Sequence, residues 1–339
     1  MTSPGWRIDP VAADEAMRRF RSARTILMPT HQNVDADGLA SALALMHALS
    51  ELGMTVVPLI SDGTLPQSLR FLPGIEQVRV YGVDSLPDYD LLCLADCSDR
   101  RRLGAFFEDD HSRVDGSVPI VNIDHHVTND HFGVVNLVEP EASSTAELVA
   151  ELLRHWESTL TPPLAQCLLA GIYGDTLGLR TESTTSRTMR TVADLVDAGA
   201  DPVPIVDALF RIKPMSTVCL WEHALRGVQW TGPLIWTEVT KETLANCGAT
   251  ASEAEGLVNF LAGTEGSRAA AILYQTETGW RVSLRSLPVD VDVAAIASEF
   301  GGGGHPRAAG CTVTGGEEEK QVFLRRVAEL ARPLSTAHS

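Results

Sequence analysis

Four polar clusters, each closing an apolar run, carry aspartate and histidine in a pattern suited to metal-assisted chemistry. They are His31-Gln32-Asn33-Val34-Asp35-Ala36-Asp37, then Asp96, then Asp124-His125-His126, then Asp175. Carboxylate oxygen mixed with imidazole suits Mn2+, Mg2+ or Fe2+ better than a thiolate-preferring ion. No cysteine pair stands at zinc-ligand spacing. So many ligands can feed two cations, and paired divalent ions about 3.5–4 Å apart are a recurrent device for cleaving phosphate esters. The expectation is a two-metal phosphoesterase.

Residues so far apart in sequence need a scaffold that gathers them. Apolar runs at Thr25–Thr30, Thr55–Ile60, Asp90–Ala95 and Pro119–Ile123 read as strands buried on both faces. Between and after them, Gly38–Leu52, Ser143–Trp156, Pro163–Tyr173 and Ser186–Ala198 read as helices. This alternation predicts an α/β fold with a doubly wound, mostly parallel sheet and helices on both sides. In such sheets functional loops collect beyond the carboxyl ends of the strands. His31–Asp37, Asp96 and Asp124–His126 each follow a strand there, and Asp175 lies near the end of an apolar helix.

Beyond a catalytic domain over residues 1–200, a helical linker is expected at 201–227, with helices at Val203–Phe210 and Met215–Arg226 broken by Pro214. A smaller mixed α/β domain is then expected over 228–335, with the active site in the cleft between the two domains. Its strands are placed at Leu234–Val239, Ala269–Gln275, Trp280–Ser286 and Gly310–Val313, its helices at Ser252–Leu261, Val293–Phe300 and Glu317–Ala331.

The bulk numbers agree with that plan. A chain of 339 residues suits two domains at about 150 residues each. The N-terminus lacks a signal-peptide layout and no apolar run reaches the length of a membrane span, so a cytoplasmic enzyme is expected. With 44 acidic against 27 basic residues and a net charge of −17, a grip on long duplex nucleic acid is disfavoured. A small anionic substrate held by a few local arginines fits better. The cysteines (Cys93, Cys97, Cys167, Cys219, Cys247, Cys311) lie scattered, mostly in apolar runs, and read as reduced core thiols.

Taken in order, these motifs resemble the DHH phosphoesterases, whose name-giving triplet stands here as Asp124-His125-His126. The likeness spans nearly the whole chain. It takes in His-x-x-x-Asp-x-Asp at His31–Asp37, Gly-x-x-Gly-Asp-Thr at Gly171–Thr176, and Gly301-Gly302-Gly303-Gly304-His305 followed by Ala308-Ala309-Gly310. The last two belong to the DHH-associated substrate-binding domain. The two-domain length is similar to the bacterial branch acting on nanoRNA and 3′-phosphoadenosine-5′-phosphate (pAp). Val34, Gly38, Ala40 and Leu177 depart from common family residues, and none of these changes removes a ligand.

The resemblance implies two Mn2+ ions, with Mg2+ or another divalent cation as substitute. His31 and Asp35 would hold one, Asp37, His125 and Asp175 the other, and Asp96 would bridge them. Asp124 would orient an imidazole, and His126 would face the phosphate, stabilising charge or protonating the leaving oxygen. Arg268, Arg285, Ser286, Gly302, Gly303, Gly304, His305 and Arg307 are the candidate substrate-binding residues, since glycine-rich backbone and arginine forks suit phosphate. Implied partners are short oligoribonucleotides, pAp, pApA and cyclic di-AMP, with a second copy in a homodimer. Alternative readings are a RecJ-like single-strand DNA exonuclease, a cyclic di-AMP phosphodiesterase, a family II pyrophosphatase and a catalytically silent nucleotide-binding regulator.

Overall fold

A computed structural model describes residues 7–254 and 256–333. The outer ends of the two expected domains, 1–6 and 334–335, and residue 255 in the expected Ser252–Leu261 helix lie outside the described residues. The chain divides into two units, Met1–Ile212 and Lys213–Ser339.

In the first unit the apolar runs become β1 (Ile26–Pro29), β2 (Val56–Ile60), β3 (Arg79–Val80), β4 (Leu91–Ala95), β5 (Ile120–Asp124) and β6 (Val135–Val138). They form one parallel sheet in the order β3-β2-β1-β4-β5-β6. The order reverses between β1 and β4, which opens a crevice beyond their carboxyl ends. The edge strands β3 and β6 were not expected from the sequence; they are short and only partly apolar.

One face of this sheet is covered by α1 (Pro10–Ser22), α2 (Ala36–Glu51), α4 (Thr145–His155) and α5 (Pro162–Asp175), which share the larger core. The other face carries less than the expected layer of helices. There Leu27, Leu59, Leu92 and Leu94 are sealed by Leu103, Phe106 and Val114 from 3₁₀ turns and the single-turn α3 (Ala105–Glu108). Asp99 and Asp110 each start a new short turn by accepting from a backbone N–H two residues on, so no long helix propagates. α6 (Ser186–Asp197) and α7 (Pro202–Val206) complete the unit.

α5 approaches α2 and α4 closely through two glycines, Gly171 and Gly174. A Cβ on Gly171 would sit 2.6 Å from Ala146 Cβ and 2.9 Å from Asp37 Oδ1, and one on Gly174 would sit 2.6 Å from Ala36 Cβ.

The second unit begins with α8 (Met215–Arg226), β7 (Gln229–Thr231), β8 (Leu234–Val239), α9 (Lys241–Cys247) and α10 (Leu257–Ala262). β9 (Ala269–Gln275), β10 (Gly279–Arg285), α11 (Val293–Ser298), β11 (Gly303–His305), β12 (Ala308–Thr314) and α12 (Glu317–Leu330) follow. Its sheet runs β11-β12-β10-β9-β8-β7, antiparallel except for the β8–β9 pair. Separate cores lie against its two faces, one around Phe323 and Leu324, the other around Leu220 and Leu257. The expected connector segment is shared out, with α7 in the first unit and α8 in the second. No described helix is long and apolar enough to cross a membrane.

Four of the cysteines are buried as expected, but Cys219 and Cys247 form a disulfide. α8 turns Thr217, Leu220 and Ala224 inward, so Cys219 sits half-buried on its flank within an apolar-looking run.

Candidate metal centre

Each predicted ligand is placed by the end of an element. His31 follows β1. Asp35 caps α2 by accepting from the Gly38 N–H (3.0 Å), which puts Asp37 in the first helical turn. Asp96 follows β4 in the left-handed backbone region (φ 62°), which aspartate tolerates better than most residues. Asp124 ends β5, His125 and His126 follow it, and Asp175 is the last residue of α5.

These side chains converge. His31 Nε2 lies 3.5 Å from Asp35 Oδ1 and 3.3 Å from Asp96 Oδ2. His125 Nε2 lies 3.6 Å from Asp96 Oδ1, 3.3 Å from Asp175 Oδ2 and 4.0 Å from Asp37 Oδ2. Asp96 therefore turns one oxygen toward the His31–Asp35 group and the other toward the group of Asp37, His125 and Asp175.

The electrostatics of this cluster call for positive charge. His31, Asp37, Asp96 and Asp124 are all at most 2% exposed, and buried carboxylates persist only when paired or bound to cations. Burial, joined by the charges of Asp96, Asp175 and Asp35, drives the Asp37 carboxyl well above the usual range. Burial likewise pushes Asp175 up to about 7. Burial would depress His31, but the Asp35 and Asp96 carboxylates beside it override that and push the imidazole up to about 10. Asp96 moves the other way: the neighbouring imidazoles, His31 foremost, outweigh its burial and lower it.

The imidazoles are also aimed. His31 Nδ1 lies 2.7 Å from its acceptor, the Gln32 carbonyl, and His125 Nδ1 3.4 Å from that of Ala142. A carbonyl cannot donate, so each Nδ1 carries the proton and Nε2 is presented to the cluster. His31 Nε2 is buried with no well-formed hydrogen bond, an atom left for a ligand to satisfy. Hard oxygen donors, two aimed imidazoles and this orphaned nitrogen fit divalent cations of the Mn2+ or Mg2+ class.

The start of α4 supplies support that was not anticipated. The Thr145 and Ala146 N–H groups donate to Asp37 Oδ2 (2.7 Å) and Oδ1 (2.9 Å), and Thr145 Oγ1 donates to Asp96 Oδ1 (3.0 Å). A helix N-terminus thus holds the buried Asp37 carboxylate by dipole and hydrogen bond together. Asp124 is saturated elsewhere. Its Oδ1 accepts from His126 Nδ1 (2.7 Å) and from the His125 N–H (2.9 Å), its Oδ2 from Asn129 Nδ2 (2.6 Å). Asn129 is itself held by Asn122 Oδ1 (2.7 Å). So Asp124 orients His126 rather than reaching the cluster. Burial works to lower the His126 pKa, but the Asp124 hydrogen bond and the charge of Asp96 prevail and raise it.

Residues 25–172 match the model of the DHH family, N-terminal domain, and residues 239–332 that of the DHHA1 domain. The Bifunctional oligoribonuclease and PAP phosphatase NrnA of Thermus thermophilus is 33% identical, over 86% of this chain and 84% of its own. The chain belongs to the DHH family. Among solved structures, an exopolyphosphatase-related protein from Bacteroides fragilis matches 98% of both chains with TM-score 0.88 at 23% identity. RecJ from Thermus thermophilus in complex with Mn2+ matches 95% of this chain and 54% of its own, with TM-score 0.57 at 17% identity. Both likenesses show a shared fold.

In the DHHA1 domain, strand register gathers the other predicted residues at one end of the sheet. Arg285 pairs with Ala270 on one side and Ala308 on the other, and His305 also pairs with Ala308. The glycine loop lies so close to β12 that a Cβ on Gly302 would sit 2.1 Å from the Gly310 carbonyl oxygen, and one on Gly304 2.4 Å from that of Ala308. Gly303 and His305 are exposed on β11. Two of the arginines are committed locally. Arg307 donates to the Pro288 (2.6 Å), Val289 (2.7 Å) and Val291 (2.7 Å) carbonyls, while Arg268 bonds the Ala331 carbonyl (2.7 Å) and pairs with Asp290. Ser286 Oγ, buried, donates to the Val291 carbonyl (2.7 Å) and braces the same turn. Arg285 Nε donates to Asn259 Oδ1 (3.0 Å).

Proposed function

We propose that this DHH protein hydrolyses short oligoribonucleotides to mononucleotides, and pAp to AMP and phosphate, with two divalent cations, Mn2+ foremost. The observation that supports it best is Asp96, which offers one oxygen to each of two ligand groups. The named activities of the Thermus thermophilus relative point the same way. His31 and Asp35 would hold one cation, Asp37, His125 and Asp175 the other, and Asp96 both. When bound, such a pair supplies Lewis-acid charge stabilisation and a nucleophile at neutral pH.

The chain's own residues do the rest. Asp124 fixes Nδ1–H of His126, so the ring offers Nε2 to the departing oxygen and delivers its proton there. The α4 N-terminus keeps Asp37 and Asp96 from drifting as charge develops. In the DHHA1 domain, Gly302–Gly304, His305 and Arg285 would contact the nucleotide, while Arg268, Ser286 and Arg307 hold the loop that carries them.

The test is a product profile. Protein with Mn2+ is given pAp, RNA dimers to pentamers, long RNA, single-stranded DNA, cyclic di-AMP and pyrophosphate in parallel. Fastest turnover is expected on pAp and the shortest RNAs; preference for long DNA would turn the assignment toward a RecJ-like exonuclease.

Cation loading carries its own signature. In the metal-free protein His31 holds its proton up to about pH 10 and Asp175 holds part of its own near pH 7. Cations and protons compete for these atoms, so Mn2+ affinity rises with pH across this range. At least one proton should leave per protein loaded at pH 7, from His31, with further release from Asp175 and Asp37. Titration calorimetry in two buffers of different ionisation enthalpy reads that number. Heats that do not depend on the buffer would show that His31 and Asp175 are not displaced.

A further inference from the structure

Cys219 and Cys247 belong to neither the DHH centre nor the glycine loop. Cys219 lies one turn before His223 on α8, so both leave one face of the helix. Cys247 is the final residue of α9, and its sulfur is bonded to that of Cys219. His223 Nδ1 lies 4.0 Å from Cys219 Sγ and 3.8 Å from Cys247 Sγ. The Glu222 carboxylate and the Cys219 carbonyl each lie 3.0 Å from the same nitrogen.

The other cysteines offer nothing comparable. Burial pushes the Cys97 thiol up to about 12 and that of Cys311 to about 11, and it raises Cys93 and Cys167 further. Accessible dithiol chemistry among the described residues is concentrated in this one pair.

A disulfide acting only as a staple needs no imidazole beside both sulfurs. A tetrahedral zinc site does: bonds of about 2.3 Å to sulfur and 2.0–2.1 Å to nitrogen set sulfur and nitrogen about 3.5 Å apart. The observed nitrogen–sulfur separations are already close to that value, so the sulfurs alone must part. We propose that, once reduced, Cys219, Cys247 and His223 hold a thiophilic divalent cation, Zn2+ foremost, and that disulfide and metal-bound forms are alternative states of one site.

The exchange balances with a dithiol as reductant. The dithiol gives up two electrons and two protons and closes to its own disulfide, while Cys219 and Cys247 each become a thiol. The cation then displaces both thiol protons, the imidazole moves its proton from Nδ1, which faces the Cys219 carbonyl, to Nε2, and the two thiolates and His223 Nδ1 bind the cation. The fourth position goes to water or to the Glu222 carboxylate. Sulfur and imidazole here contrast with the oxygen-rich DHH centre, so the two sites select different ions.

Co2+ separates them by colour. Full-length protein, reduced with a phosphine and desalted without oxygen, is titrated with Co2+ and read in the near ultraviolet. Thiolate-to-cobalt charge transfer is expected to saturate at about one equivalent in this site and to vanish when Zn2+ is added; the DHH centre, lacking thiolate, contributes no such band. Oxidised protein and the Cys219→Ser/Cys247→Ser variant should lack the band while keeping Mn2+-dependent hydrolysis. His223→Ala should retain it with lower affinity and an altered visible spectrum. The proposal fails if the reduced protein shows two free thiols and no band, if the pair resists reduction in the native state, or if the double variant gives the same band.

Discussion

Asp96→Ala is expected to reduce Mn2+-dependent hydrolysis of pAp and of RNA dinucleotides by on the order of 10³-fold. Lewis-acid stabilisation of a phosphoryl transition state is worth several kcal/mol, and each 1.36 kcal/mol is tenfold in rate. Loss of the one carboxylate that faces both ligand groups weakens both cation sites together. Alanine also fits the left-handed backbone at this position poorly, adding about 1 kcal/mol of strain. Asp96→Asn is the cleaner partner, since it keeps the shape and tolerates that backbone while removing the charge. Both variants should lose the rise in Tm that Mn2+ gives the unaltered protein. Activity retained in Asp96→Ala would remove this residue from the metal centre.

Asp124→Asn is expected to lower kcat by about 10²–10³-fold, within the roughly 10²–10⁴-fold that a positioned proton donor contributes. The side chain remains buried, but its amide can donate toward His126 Nδ1 and so favour the wrong tautomer. The accompanying pH shift is the sharper test. His126 must be protonated to act as an acid, so activity falls as pH rises through its pKa. Asp124 raises that pKa, so the variant should lose activity at lower pH than the unaltered protein. Adding His126→Ala to Asp124→Asn should cost little more than either alone, because the two act as one unit. Additive losses, or an unmoved basic limb of the pH profile, would separate them.

What was legible in the sequence follows from where information is written. The ligand loops announced themselves because each polar cluster interrupts an apolar run, and parallel topology places such interruptions on one side of the sheet. Thr145 and Ala146 did not, because they hold Asp37 chiefly with backbone N–H groups, and a backbone donor has no residue signature. Ser143-Ser144-Thr145 reads as a helix start, but which acid it would face depends on how α4 packs against α2. Asn122 and Asn129 look like ordinary strand and turn residues until Asn129 is seen donating to both Asn122 and Asp124. The arginines show the converse. Arg268 and Arg307 have the right charge for phosphate, yet nearby carbonyls take up their donors, and only the fold reveals that. Cys219 was misread because an apolar run says nothing of which helical face turns inward.

The glycines by which α5 approaches α2 limit how this enzyme can be engineered. Helical glycines are the usual first targets for alanine exchange in building heat-resistant proteins, with gains of about 0.5–1 kcal/mol each. At Gly171 the added methyl would press on Asp37, and at Gly174 on Ala36 beside it. A sturdier helix would then come at the expense of the spacing among the acids, so thermostabilised versions are better sought on the outward flanks of α1 and α6.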